Sequence, residues 1–148
     1  SAFHQLKWWI AKNEGLIKKN GFVYSFFGRK RRLPNIASDD SGIRSHTIRS
    51  GLNFLVQSPA SDINLLGAID THRYVVENKM KARIFALVHD SILAEVPEEE
   101  IEEYSAQLEK FVQLDRGINI PGAPVGCDFE VGEDYSMGKF EKQYGILG

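Results

Sequence analysis

Arg83-Ile84-Phe85-Ala86-Leu87-Val88-His89-Asp90-Ser91-Ile92-Leu93-Ala94-Glu95-Val96 is the stretch around which the chain is read. Two apolar runs, 84–88 and 92–96, flank three polar residues. The runs are short, rich in branched side chains and closed by Pro97, so they read as strands rather than helices. A tight turn between them lifts His89, Asp90 and Ser91 to the tip of a buried hairpin. A carboxylate held there is poorly solvated and fixed in direction, which suits a metal ligand. An ordinary hairpin turn accounts for the same residues, since Asp and Ser are common turn formers.

Around this stretch, 148 residues with 43% hydrophobic content are enough for one domain or a large piece of one. No apolar run approaches the ~20 residues of a membrane span, so no membrane partner is expected. The single Cys127 allows no internal disulfide and fits a reducing compartment. The chain opens with Ser1 rather than Met, as expected of a processed, excised or spliced segment. Charge is uneven. Residues 1–50 carry ten Lys and Arg against three Asp and Glu, whereas residues 51–148 carry eight against seventeen. A basic first third suits contact with a polyanion or with an acidic partner, and the acidic remainder argues against nucleic acid coating the whole surface.

Upstream of the hairpin, residues 3–19 have helical spacing, with Phe3, Leu6, Trp9, Ile10 and Leu16 on one side. Lys18, Lys19 and Gly21 close that helix. An aromatic strand follows, then a turn at Gly28 and a short return strand stopped by Pro34, a basic hairpin over 21–36. Alternation sends Arg29 and Arg31 to one face and Lys30 and Arg32 to the other. Such guanidinium groups can lie along a phosphate backbone; a solvated turn or a localisation signal would use the same residues. Over 43–80 the pattern predicts two helices, a polar one capped by Asp40 or Ser41 and a long apolar one beginning at Pro59. Ser58 is its expected cap, Asp62 lies in its first turn, and Ile63, Leu66, Ile69 and Val76 form its stripe. Asn53 and Gln57 stand at its entrance, where an amide needs a partner from the backbone or from a ligand. Beyond the hairpin at 83–97, residues 98–148 read as an acid-led helix, a last strand over 125–131 and a tail. The helix stripe is Ile101, Tyr104, Leu108 and Phe111 or Val112.

In this order the chain resembles the C-terminal portion of family A DNA polymerases, the bacterial polymerase I and phage replicative type. The matching stretches are Gly21-Phe22-Val23, Phe27-Gly28-Arg29-Lys30-Arg31 with Leu33-Pro34, Arg49-Ser50-Gly51-Leu52-Asn53-Phe54-Leu55-Val56-Gln57 to Asp62, Val88-His89-Asp90 and Val131-Gly132-Glu133-Asp134. The resemblance implies an α+β fold, an antiparallel palm hairpin packed on long helices, within an incomplete polymerase domain. It implies that Asp90 binds catalytic Mg²⁺ and that His89 contacts the primer end. Arg49, Asn53 and Gln57 match positions lining the terminal base pair, where amides meet the minor-groove acceptors common to all pairs. Arg29 and Arg31 are expected against backbone phosphates, with affinity falling as salt rises. Primer–template DNA and dNTP are the implied partners, in the cytoplasm of a bacterium or phage-infected host.

Two departures qualify the match. Ser91 stands where the family usually has Glu, and a hydroxyl supplies no charge. The first-motif Asp, and the fingers helix with its Lys and Tyr, have no equivalent here. Two ions roughly 3.5–4 Å apart need more than one carboxylate. The chain is therefore expected to require an N-terminal polymerase piece and to be silent alone, with an unpaired sheet edge and exposed apolar surface. A non-catalytic DNA-binding subunit with a degenerate site is the alternative. A metal phosphohydrolase fits less well, because His4, His46 and His72 show no ligand pattern around His89-Asp90.

Overall fold

A computed structural model of the chain describes residues 3–123 and 125–135. It divides into two units, Ser1–Asp62 and Ile63–Gly148.

The first unit opens with α1 (His4–Asn20), which ends at Gly21 in the left-handed region, φ 68°. The Gly21 N–H donates to Ile17 O at 2.9 Å, and Lys18 and Lys19 occupy the last turn, where cations favour the helix dipole. The expected apolar stripe is not a core face. Phe3, Leu6 and Leu16 are exposed, and Ile17 is the residue of α1 that is buried. Helical spacing marks a common side but leaves open what covers it.

Next, β1 (Phe22–Tyr24) and β2 (Lys30–Arg32) pair antiparallel, Phe22 with Arg32, Val23 with Arg31 and Tyr24 with Lys30. Gly28 turns the chain at φ 82°, a conformation glycine adopts at little cost. Ile17, Val23 and Leu33 form the core of this unit, with Ile48, Leu52, Phe54 and Leu55 packed against it.

The segment predicted as two helices is one, α2 (Ser41–Glu77), with Pro59 inside it. Asp40 is its N-cap: Oδ1 accepts the N–H groups of Gly42 at 2.6 Å and Ile43 at 3.1 Å. Ser58 is therefore no cap. Its hydroxyl donates to Asp62 Oδ2 at 3.2 Å, and Asp62 lies mid-helix and buried. A proline here leaves the Leu55 carbonyl without its helical donor, but its neighbours still hold helical geometry. The helix ends in a paired-bond cap, with Met80 N–H to Val75 O at 3.0 Å and Lys79 N–H to Val76 O at 3.2 Å. Lys79 takes the left-handed position, φ 55°.

In the second unit, β3 (Arg83–Val88) and β4 (Ser91–Glu95) pair antiparallel as a two-stranded sheet. Ile84 faces Ala94 and Ala86 faces Leu93, so Phe85 is an extra residue, a bulge. Three residues of Glu98–Glu100 form a 3-10 turn that leads into α3 (Ile101–Val112). This helix buries Ile101, Tyr104, Ser105, Leu108 and Val112, so Val112 rather than Phe111 completes its stripe. The core joins Val75, Ala82, Tyr104, Leu108 and Val112, with Ile84, Ile92 and Ala94 of the hairpin against it. The Glu100 carboxylate accepts the N–H groups of Lys81 and Ala82 at 2.9 to 3.0 Å, and Glu99 pairs with Lys81 at 3.6 Å. The acidic run thus ties down the approach to β3.

The expected last strand over 125–131 is not one. Its described residues make no ladder, although Cys127 and Phe129 pack on the core, so alternation is met by packing alone. Burial, then Glu109 and Asp128, push the Cys127 thiol up. The expected tail beyond residue 135 lies outside the described residues. Phe85, Leu87 and Val88 are exposed, 63%, 47% and 40%, so the sheet shows apolar surface, and among the described residues its edges are unpaired, as expected. No helix among the described residues is long and apolar enough to cross a membrane.

Candidate nucleic-acid interface

In the first unit, four residues of α2 receive the basic hairpin. Arg31 donates to Ser50 Oγ at 2.8 Å and lies 5.4 Å from the Phe54 ring centroid. Arg29 donates through its terminal nitrogen to Ser58 Oγ at 3.0 Å and through Nε to Asp62 Oδ1 at 2.9 Å. Ser50, Phe54, Ser58 and Asp62 are four residues apart, one continuous row on a helix. Lys30 points the other way, with Nζ 3.8 Å from the Phe22 ring centroid, and so follows the predicted alternation.

Arg49, Asn53 and Gln57 each precede a member of that row and form a second row beside it. All three are exposed, and among the described residues none of their side chains makes a hydrogen bond. Asn53 and Gln57 therefore meet solvent rather than the backbone. Long polar side chains in a straight line, bordered by a cationic hairpin, can follow a groove in a polyanion. The hairpin is pre-set by Ser25. Its hydroxyl accepts the Arg29 N–H at 2.9 Å, and its own N–H donates to Arg29 O at 2.8 Å.

His89 and Asp90 belong to the second unit. They form a two-residue turn, with Ser91 already in the ladder opposite Val88, so the predicted three-residue tip is shorter. The tip is also exposed at all three residues, not buried. The reason is that the core packs against the strands, at Ile84, Ile92 and Ala94, and does not extend to the turn. His89 is held at φ 55°, which is uncommon for a residue with a side chain and recurs at functional sites. Asp90 makes no ion pair among the described residues, which leaves its oxygens open. Among the described residues, no three His, Cys, Asp or Glu side chains are grouped to hold a metal ion. Asp90 thus fits one ligand position for a hard cation, not a whole site.

The family model described as DNA polymerase family A matches residues 1–137. The chain belongs to the family A DNA polymerases. It is 49% identical over 150 residues to a DNA polymerase of Escherichia phage T5, covering 96% of this chain and 17% of that protein. Identity to the thermostable DNA polymerase I of Thermus aquaticus is 29% over 138 residues, 93% of this chain and 16% of the relative. Among solved structures, the POL domain of Pol1 from M. smegmatis, in complex with DNA primer-template and dNTP, matches with a TM-score of 0.65. That match has 26% identity over 72% of this chain and 19% of the other. The family A chain thus spans less than a fifth of the length of these relatives. Its mixture of helices with small antiparallel sheets agrees with the α+β class.

Sequence reasoning missed the Ser58–Asp62 pair as a receptor for Arg29. The i, i+4 spacing is its signal, and the Ser58-Pro59 pattern of a helix start hides it. The Phe85 bulge left no sequence mark.

Proposed function

We propose that this chain is the C-terminal part of a DNA-directed DNA polymerase, contributing primer–template contacts and one metal-binding carboxylate to nucleotidyl transfer. The open row of Arg49, Asn53 and Gln57 beside the basic hairpin supports this most directly. The row's amides suit minor-groove acceptors that every correct base pair presents, and Arg49 and Arg31 suit the backbone. The hairpin carrying Arg29 and Arg31 borders the bound duplex. His89, strained at the hairpin tip, meets the primer end, and Asp90 offers its free oxygens beside it. Mg²⁺ ions, when bound, supply charge compensation at the attacking 3′ oxygen and the leaving pyrophosphate. Asp90 would hold one of them, with further carboxylates from an N-terminal polymerase piece. The dNTP would also be gripped largely by that piece. We place the assembly in the cytoplasm of a bacterium or phage-infected host.

The test is primer extension by the chain co-purified with an N-terminal polymerase piece from the same source. Extension requires both polypeptides and Mg²⁺, and Asp90→Ala abolishes it. Undiminished extension by the Asp90→Ala assembly would overturn the assignment. A non-catalytic DNA-binding subunit is favoured by one feature, Ser91 in place of a charged residue. It predicts salt-sensitive template binding and no extension in any mixture.

A further inference from the structure

Arg29 was expected against phosphate, yet its guanidinium is engaged within the chain. Nε–H meets Asp62 Oδ1 at 2.9 Å, and a terminal N–H meets Ser58 Oγ at 3.0 Å. Ser58 donates in turn to Asp62 Oδ2 at 3.2 Å, which closes a ring of three side chains. The Asp62 side chain is only 6% exposed, and Ser58 is buried as a residue. A buried carboxylate without its cation is costly, so this pairing is held firmly. It also has a direction, because two nitrogens of one planar group must each find a separate oxygen.

The ring lies at one end of the row that holds the hairpin, and Arg31 on Ser50 lies at the other. Twelve residues separate Ser50 from Asp62, about 18 Å along a helix. Two fastenings that far apart fix both the position and the angle of the hairpin on α2. They therefore fix where Lys30, Arg31 and Arg32 stand relative to the open row of Arg49, Asn53 and Gln57.

We infer that Asp62 is a positioning residue for primer–template binding. Through Arg29 it sets the basic hairpin alongside the open row, and Arg29 itself touches no phosphate. This rests on the polymerase reading. It also reverses a simple electrostatic expectation. Removing a negative charge from a surface that binds a polyanion should tighten binding, whereas removing a positioning group should loosen it.

The experiment measures fluorescence anisotropy of a labelled primer–template duplex with the full chain co-purified with an N-terminal polymerase piece across a salt series, well below each variant's melting midpoint. At such temperatures a loss of stability alone leaves binding unmoved. Asp62→Asn is expected to bind about tenfold more weakly, the scale of one lost charge-assisted bond. Arg29→Lys, which keeps the charge, should lose a similar factor. Asp62→Asn/Arg29→Lys should lose no more than either single variant, as coupled groups do. The slope of log affinity against log salt should not change in Arg29→Gln, since no phosphate contact is removed. In the unsubstituted chain, the NMR signal of the Arg29 Nε–H should exchange slowly and stay in place when duplex is added. Equal or tighter binding by Asp62→Asn, a slope lowered by about one in Arg29→Gln, or a displaced Arg29 Nε–H signal would each overturn the inference. Should Asp62→Asn fail to fold, the signal from the unsubstituted chain still decides. An unsubstituted assembly with no affinity for primer–template overturns the polymerase reading as well. Binding that survives with Asp62→Asn indifferent overturns the inference alone.

Discussion

Gly67 of α2 lies directly against Val112 of α3: a methyl group at residue 67 would fall 2.6 Å from Val112 Cγ2 and 3.1 Å from its Cα. Within the second unit, α3 and the part of α2 from Ile63 on approach this closely only because residue 67 has no side chain. Gly67→Ala is expected to destabilise that unit by about 1–3 kcal/mol despite its better helix propensity. Adding Val112→Ala should recover only part of the loss, because the Val112 backbone is also within reach. Denaturant unfolding of the three variants checks this.

Tyr104 is buried in the same core, its hydroxyl without a partner among the described residues, and burial pushes its pKa up to about 12 from 10.0. The folded state therefore holds the phenol proton at pH values where the unfolded chain has released it. Stability from this group is full below pH 10 and falls as pH rises towards 12, by on the order of 2–3 kcal/mol. Tyr104→Phe should remove that fall and, at neutral pH, be neutral or stabilise by about 1 kcal/mol. Melting curves of the two proteins between pH 8 and about 12 measure the difference.

Asp70 accepts from Arg116 at 2.7 Å, and both side chains are largely shielded, 23% and 15% exposed. Arg116 also donates to Phe111 O at 2.9 Å, while its Nε is buried without a partner among the described residues. Asp70→Ala would strand this cation, at a cost of about 2–3 kcal/mol after allowance for residual solvent. Replacing both residues with apolar ones of similar volume should cost less than Asp70→Ala alone. A double-mutant cycle tests the ordering.

The open row separates two kinds of DNA contact. Arg49→Ala should weaken primer–template binding and lower the salt slope by about one, as the loss of a phosphate partner does. Asn53→Ala and Gln57→Ala should weaken it with the slope unchanged, because an amide displaces no counterion. Parallel salt titrations of the three variants make the comparison.

Much of this was legible in the residue pattern. The Gly21 stop of α1, the two hairpins, the acid-led α3 with its Ile101, Tyr104 and Leu108 stripe, and the motif order that marks the family all rest on local chemistry. Turn residues, capping groups and short periodicities act within a few positions of themselves, so a linear string carries them. The α2 region failed for the same reason. Ser58-Pro59 is a sound local signal for a helix start, and only residues distant in sequence override it.

What the amino-acid order determined by itself was therefore α1, α3 and the two hairpins as elements, the family, and the types of side chain offered to a polyanion. The tertiary structure decided which of those side chains are free. Arg29 and Arg49 are the same residue in a string, but one is bound to a buried carboxylate 33 positions away and the other stands in solvent. The difference is one of long-range geometry: whether a charge finds a buried counter-charge depends on how the hairpin and helix meet, and no short window of sequence contains both.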